Sequence, residues 1–372
     1  MSKRLRNCLT VYTLLATVTI APVWAGPFNE LIIFGDSLSD IGNVQRRSFS
    51  LQPGSHYFAG RFSNGPAWSE LFANELGLAP LIPSEEGGGN FAFGGAQSSG
   101  TGLFAGIVID DVDDQVDDFL ARGPVDPDAL VVVFAGANDL FFGQTNPTVP
   151  VSNLVNDIER LIAAQTRNLL VMNIPLLGLT PRFNQNPTEA ATMNALSVDF
   201  NTQLAAELDG LEASHTDVNF YRLDIAALIS DGVANPASYG LSNVTDPAAP
   251  GLESGQVFYN SNNIVSNPHE YLFWDDIHPT AAAHAVLAQQ ALAAVRRPGD
   301  FQFDGEVTGE DFLFWQTDPS VGSLTAWGAN YAPLAAVATG AIVPEPRSLV
   351  LAFLLMGLVF VSGAPRDRTA AA

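Results

Sequence analysis

Apolar runs and amphipathic stretches alternate along most of the chain. Leu31 to Phe34 is a continuous apolar run closed by Gly35-Asp36-Ser37, and Leu130 to Phe134 (LVVVF) is a second. Asn168 to Ile174 and Val218 to Leu223 read as two further strands. Short runs without polar alternation fit strands covered on both faces. The segments between them read as helices. Pro66 to Leu76 has helical spacing with proline near its start. Asp110 to Leu120 places Val112, Val116 and Phe119 on one face and leaves its aspartates on a solvated one. Val151 to Gln165, Thr188 to Leu208 and the alanine-rich Thr280 to Arg297 follow, the last with arginines in its final turn, which suits the helix dipole. Gly87 to Gly102 is rich in Gly and Ser and reads as an extended loop. This alternation predicts an α/β fold, a three-layer α/β/α sandwich with a central parallel sheet.

The pattern changes at both ends. Lys3, Arg4 and Arg6 precede an apolar run ending at Ala25, the pattern of a signal peptide cleaved after that residue. A retained membrane anchor is the alternative, although the run is short for a spanning helix. Cys8, the single cysteine, leaves with the peptide, which excludes disulfides, Cys–metal sites and cysteine catalysis from the mature protein. After Pro298 a small acidic and aromatic appendage runs to about Tyr331, followed by an alanine-rich linker and a terminal hydrophobic helix. The expected division is residues 1–25, 26–297, 298–342 and 343–372. The chain's 372 residues, 47% of them hydrophobic, suffice for a large core. The net charge of -23 excludes nucleic acid as a partner, since few cations are present to replace phosphate counterions.

Candidate chemistry gathers at the ends of the strands. Ser37 stands where the first strand stops, at the edge where open α/β sheets place their active sites. By itself it could equally be a helix N-cap. Asn90 to Ala96 (NFAFGGA) carries paired glycines that let a backbone N–H approach a reacting group. Gly136-Ala137-Asn138-Asp139 follows the LVVVF strand and brings a side-chain amide to the same edge, with a turn cap as the plain alternative, above all for Asp139. Trp274 to Thr280 (WDDIHPT) carries a histidine and an acid on one loop, Asp275 with Asp276 as its rival. Asp40 and Asn43 are expected to shape the turn behind Ser37. His56, His215, His269 and His284 read as surface or packing residues, His284 as solvated or half-buried on the last helix. Leu103, Phe104, Phe141 and Phe142 adjoin these loops and either line an acyl pocket or pack the core. The Gly-x-Ser-x-Gly elbow of ordinary α/β-hydrolases is not found.

The segments GDSLSDIGN, GRFSNGPAW (Gly60 to Trp68), NFAFGGA, GAND and DDIHPT together resemble the SGNH, or GDSL-type, lipase/esterase family, in particular its phospholipase/lecithinase/haemolysin-like branch, over about Leu31 to Ala294. The resemblance implies Ser37 as nucleophile, His278 as general base and Asp275, selected by the family's Asp-x-x-His spacing, as the orienting acid. It implies an oxyanion hole from the Ser37 N–H, the Gly95 N–H in preference to Gly94, and the Asn138 amide. It implies no cofactor for catalysis and a small-molecule or lipid ester substrate, the branch favouring lipid esters. The alternatives are a deacetylase of acetylated glycans on the same residues, and a non-catalytic surface-displayed binding module.

Gly299 to Asp311 (GDFQFDGEVTGED) has the spacing of a calcium loop. It resembles a dockerin repeat with Asp300, Gln302, Asp304, the Glu306 carbonyl and Asp311 as ligands of a structural calcium. Gln302 and Thr308 depart from the pattern, and Leu324 to Tyr331 reads as a degenerate second half. A cohesin-like partner follows from this resemblance. Val343 to Arg368 resembles a PEP-CTERM sorting signal: Pro-Glu-Pro, an apolar stretch, then arginines. It implies membrane contact, a sorting protease and residence in the cell envelope or outside the cell, a plain C-terminal membrane anchor being the alternative.

Overall fold

The computed structural model describes residues 26–100 and 102–331, so the expected signal peptide and sorting segment lie outside the described residues. β1 (Glu30–Gly35) is followed by α1 (Asn43–Arg47), α2 (Trp68–Glu75), the short strands β2 (Leu103–Phe104) and β3 (Ile107–Val108), and α3 (Val112–Leu120). Next come β4 (Ala129–Phe134), α4 (Ala137–Phe141), α5 (Thr148–Ala163), β5 (Asn168–Met172), α6 (Pro181–Asn184), α7 (Pro187–Ser214), β6 (Asn219–Leu223) and α8 (Ile225–Ala234). β7 (Asn243–Pro247), β8 (Tyr271–Phe273), α9 (Ala281–Val295), α10 (Gly309–Thr317) and α11 (Leu324–Asn330) complete the described chain.

The sheet is parallel, in the order β1-β4-β5-β6. Its strand residues alternate between two cores, as a period of two requires. Ile32, Phe34, Val131, Val133, Leu169 and Val171 join side chains of α3, α5 and α7. Leu31, Ile33, Leu130, Val132, Leu170 and Met172 join those of α2, α8 and α9. Both faces of the strands are therefore covered, which explains why the runs lack polar alternation. All four strands point the same way, so Ser37, Asn138, Pro175 and Ile225, which follow β1, β4, β5 and β6, share one sheet edge.

Two expectations are corrected. Asp111 does not lie on a solvated face. It is buried, and its carboxylate accepts the N–H groups of Gln97 and Gly102, holding the glycine-rich loop against α3. His284 is neither solvated nor half-buried. α9 packs against α2, and the imidazole Nδ1 accepts the Trp68 N–H at 3.2 Å, meeting one of the unpaired donors at the start of α2. Beyond α9, the ring of Phe303 packs edge-on against Phe28 at 6.3 Å and joins the α2–α8–α9 core.

Candidate active site

The first turn after β1 is built by backbone constraints. A Cβ on Gly35 would lie 2.4 Å from the Phe134 carbonyl oxygen, so the strand end closes only around glycine. The Gln115 amide accepts the Gly35 N–H and donates to the Gly35 carbonyl, both at 2.9 Å. Asp40 then gathers four backbone donors: Gly42 and Asn43 on Oδ1, and Val44 and Gly94 on Oδ2. Asn43 donates to the carbonyls of Asn90 and Ala92. These bonds fasten the NFAFGGA segment beside the turn that carries Ser37.

The WDDIHPT loop folds on its own acid. Asp275 Oδ1 accepts the N–H groups of Ile277 and His278, an Asx-type turn that leaves Oδ2 directed at the imidazole. His278 Nδ1 lies 2.7 Å from that oxygen, and Nε2 lies 2.8 Å from Ser37 Oγ. Asp276 points elsewhere, pairing with Arg182 at 2.7 Å and accepting the Ser254 N–H. Asp275 and His278 are buried, whereas Ser37 keeps partial exposure. Burial pushes the Asp275 carboxyl up, but the charge on His278 and the hydrogen bonds from His278 and Tyr57 outweigh it and hold the group below the usual carboxylate range.

Tyr57 is a member that no motif announces. Its hydroxyl donates to Asp275 Oδ2 at 2.6 Å, from a loop 218 residues away in sequence. Burial and the adjacent Asp275 charge push its pKa far up, so it stays a phenol donor. Asp36, beside Ser37, is raised to about 6 by burial, partly offset by the Leu38 N–H and the His278 charge.

The expected oxyanion donors differ in what already occupies them. The Gly94 N–H is occupied by Asp40 at 2.9 Å. Among the described residues, the N–H groups of Ser37 and Gly95 have no hydrogen-bond partner. Gly95 sits at φ +87°, and a Cβ there would meet the Phe104 ring at 2.4 Å, so only glycine presents its amide at this point. Asn138 donates one amide hydrogen to the Ala96 carbonyl at 2.9 Å, which leaves its second free. Asp139 is no turn cap: it accepts the N–H and hydroxyl of Ser98 and holds the loop on the far side of Gly95.

A cavity of about 1080 Å³, the open solvent at its mouth included, starts at Ser37 and His278 and is walled mainly by apolar side chains of α8, α9, β8 and the β5–α6 connection. Of the aromatics expected to line a pocket, Phe141 does so, stacked on Phe183 at 5.7 Å. Phe104 packs on Phe62 and against Gly95, while Leu103 and Phe142 are exposed.

The acidic segment forms a separate cluster. Asp300, Asp304 and Asp311 bring carboxylate oxygens within 4.8 Å of one another. Asp300 accepts the N–H groups of Asp304 and Gly305, and Asp311 those of Phe301, Gln302 and Thr308. Gln302 Oε1 is buried and has no partner among the described residues. Convergent hard oxygens with an orphaned carbonyl acceptor fit a calcium ion.

The model of the GDSL-like lipase/acylhydrolase family matches residues 31–291, and the chain belongs to that family. It is a carboxylic ester hydrolase. A phosphatidylcholine-sterol acyltransferase of Aeromonas hydrophila is 28% identical over 74% of this chain and 92% of its own. A thermolabile hemolysin of Vibrio parahaemolyticus is 28% identical over 74% of this chain and 66% of its own. The esterase EstA of Pseudomonas aeruginosa is 29% identical over 78% of this chain, which spans 50% of that protein.

Proposed function

We propose that the chain is an exported serine esterase or lipase that hydrolyses carboxylic esters of lipids through Ser37, His278 and Asp275 and an acyl-enzyme. One observation carries this reading: Ser37 Oγ, both nitrogens of His278 and Asp275 Oδ2 form an unbroken hydrogen-bonded line at 2.8 and 2.7 Å. Ser37 Oγ adds to the ester carbonyl carbon as its proton passes to His278 Nε2. The carbonyl oxygen becomes an oxyanion facing the Ser37 and Gly95 N–H groups and the Asn138 amide. When the intermediate collapses, the bond to the leaving oxygen breaks and His278 returns the proton to the alcohol. Water then repeats the sequence on the acyl-enzyme, with His278 again the base. Asp275 holds the Nδ1–H tautomer and stabilises the imidazolium.

The apolar lining of the cavity favours lipid esters over acetylated glycans, whose hydroxyls would find few partners there. The phospholipid-derived name of the Aeromonas relative points the same way. Ser37→Ala should abolish turnover of short p-nitrophenyl esters and labelling by a fluorophosphonate. Wild-type protein that never labels would mark a non-catalytic module instead.

Export rests on the basic and apolar pattern of residues 1–25, and envelope sorting by a protease on the Pro-Glu-Pro tail, which would bring membrane contact. Mass spectrometry of the mature termini tests both. Asp300, Gln302, Asp304, the Glu306 carbonyl and Asp311 would hold a structural calcium, and a cohesin-like partner would dock on this dockerin-like segment. Calcium added to chelator-treated full-length protein should raise its melting temperature. An unchanged value would remove the ion from the proposal.

A further inference from the structure

The cavity beside Ser37 has an unusual wall residue. Ile225, Leu228, Ile229 and Gly232 follow one another along a single face of α8 and all line it. Gly232 is buried in the last turns of that helix, yet a Cβ built on it would meet nothing within 4 Å. A buried helical position whose side-chain direction is empty faces a void, and Gly232 shares the cavity face. Glycine there lowers helix stability by about 1 kcal/mol relative to alanine, so local helix formation does not favour it. The space it leaves is the feature to explain.

Away from the catalytic end, the polar side chains of the wall, Thr180 and Tyr239, are both paired. The Thr180 hydroxyl donates to the Leu177 carbonyl at 2.7 Å. The Tyr239 hydroxyl donates to Asp231 at 2.5 Å, on the exposed side of α8. Facing α8 across the cavity, α9 contributes Ala282, Ala283, Val286 and Leu287. Such a surface offers an alkyl chain contact along its length and offers a sugar or a charged group no partner. From Ile225 to Gly232 the helix rises by about 10 Å, which matches roughly eight extended methylene groups.

We propose that this cavity is the acyl-chain site of the esterase and that Gly232 sets the length of chain it admits, so that the substrates are fatty acyl esters of about eight carbons or more. The proposal rests on the serine-esterase reading and deepens it by naming the substrate class. An acetyl group stops near Ser37 and never reaches α8. A medium or long chain passes between α8 and α9 and fills the space above Gly232.

The test is a panel of p-nitrophenyl esters from acetate to palmitate with wild-type protein, Gly232→Phe, Gly232→Ala and Val286→Phe. Wild-type kcat/KM should rise at least about a hundredfold from acetate to the decanoate ester. Gly232→Phe should lose most of that gain, read as a decanoate-to-acetate ratio of kcat/KM at least about tenfold below wild type, and Gly232→Ala should keep most of the ratio. Val286→Phe narrows the cavity from the opposite helix and should shift the profile the same way, which keeps the test valid if Gly232→Phe does not fold. A profile unchanged in both phenylalanine variants, with Ser37→Ala inactive, overturns the acyl-chain site and leaves the serine mechanism standing. Calorimetry with free decanoate on Ser37→Ala reads the cavity without catalysis. Binding weakened about tenfold or more by adding Gly232→Phe supports the proposal even if Ser37 proved dispensable, and equal binding by both proteins refutes it.

Discussion

His278 and His284 stand six residues apart at the entry to α9, each only 2% exposed. Burial therefore does not distinguish them; their partners do. His278 has a carboxylate on one ring nitrogen and a serine hydroxyl on the other. His284 accepts a backbone N–H from Trp68 and, among the described residues, pairs with no acid, so burial, with a smaller contribution from the His278 charge, drives its pKa down to about 3. One imidazole is placed to gain and lose a proton. The other is locked neutral as a hydrogen-bond acceptor between two helices.

Replacing each histidine should separate these roles. His278→Gln should lower kcat/KM on a short ester by at least about 10³-fold. Equal activity losses at both positions would erase the distinction. The oxyanion side sharpens it further. Asn138→Ala should cost about 3–4 kcal/mol in the barrier, roughly 10²–10³-fold in kcat, with KM almost unchanged. A loss confined to KM would mean that Asn138 binds substrate and does not stabilise the oxyanion.

The pairing of His278 with an acid on its own loop was legible in the sequence and the partner of His284 was not, for a physical reason. His278 belongs to a loop in which an acid three residues earlier folds the backbone onto itself, so short spacing carries the geometry. The strands were legible for a similar local reason, since LVVVF can only be covered on both faces. His284 lies in an alanine-rich helix whose small side chains hardly mark which face is buried. Its environment depends on Trp68, which folding alone brings close. Tyr57 escaped likewise, because nothing in the sequence joins it to Asp275. The cavity was legible only at its edge: of Leu103, Phe104, Phe141 and Phe142, which suggested it by adjacency, Phe141 lines it, yet most of its wall is assembled from α8, α9, β8 and the β5–α6 connection, and an empty space such as that above Gly232 has no residue to signal it.

His284→Gln tests the structural side. A glutamine carbonyl can still accept the Trp68 N–H, so activity should stay within about twofold at pH 7.5. The unfolded chain protonates His284 below its ordinary value of 6.5, whereas the folded protein resists until about pH 3. The stability from keeping this ring neutral is therefore present above 6.5 and is lost as pH falls below it. Between pH 7.5 and 5 the wild type should lose about 2 kcal/mol that the glutamine variant retains. Parallel stability curves for the two proteins, measured by urea unfolding, would show that His284 is not held neutral.

The smallest expected effect lies at the hydroxyl behind the acid. Tyr57→Phe keeps the ring and its packing with Trp274 and Leu252 and removes only the donor to Asp275 Oδ2. A hydrogen bond to a charged group contributes about 1.5–3 kcal/mol; with the His278 contacts still in place, the low end applies, and kcat/KM should fall about tenfold. Asp275 supplies the second readout. Its folded carboxyl lies below its ordinary value, so the stability it contributes is present above that value and is lost as pH falls through the folded one. Without the tyrosine donor that loss begins at higher pH, and the midpoint of acid unfolding should rise. A residue that only packed would leave both the midpoint and the turnover unchanged in Tyr57→Phe. Movement of both would make Tyr57 a positioning residue that acts through Asp275, and would show that the imidazole of His278 differs from that of His284 by the whole chain of donors behind it.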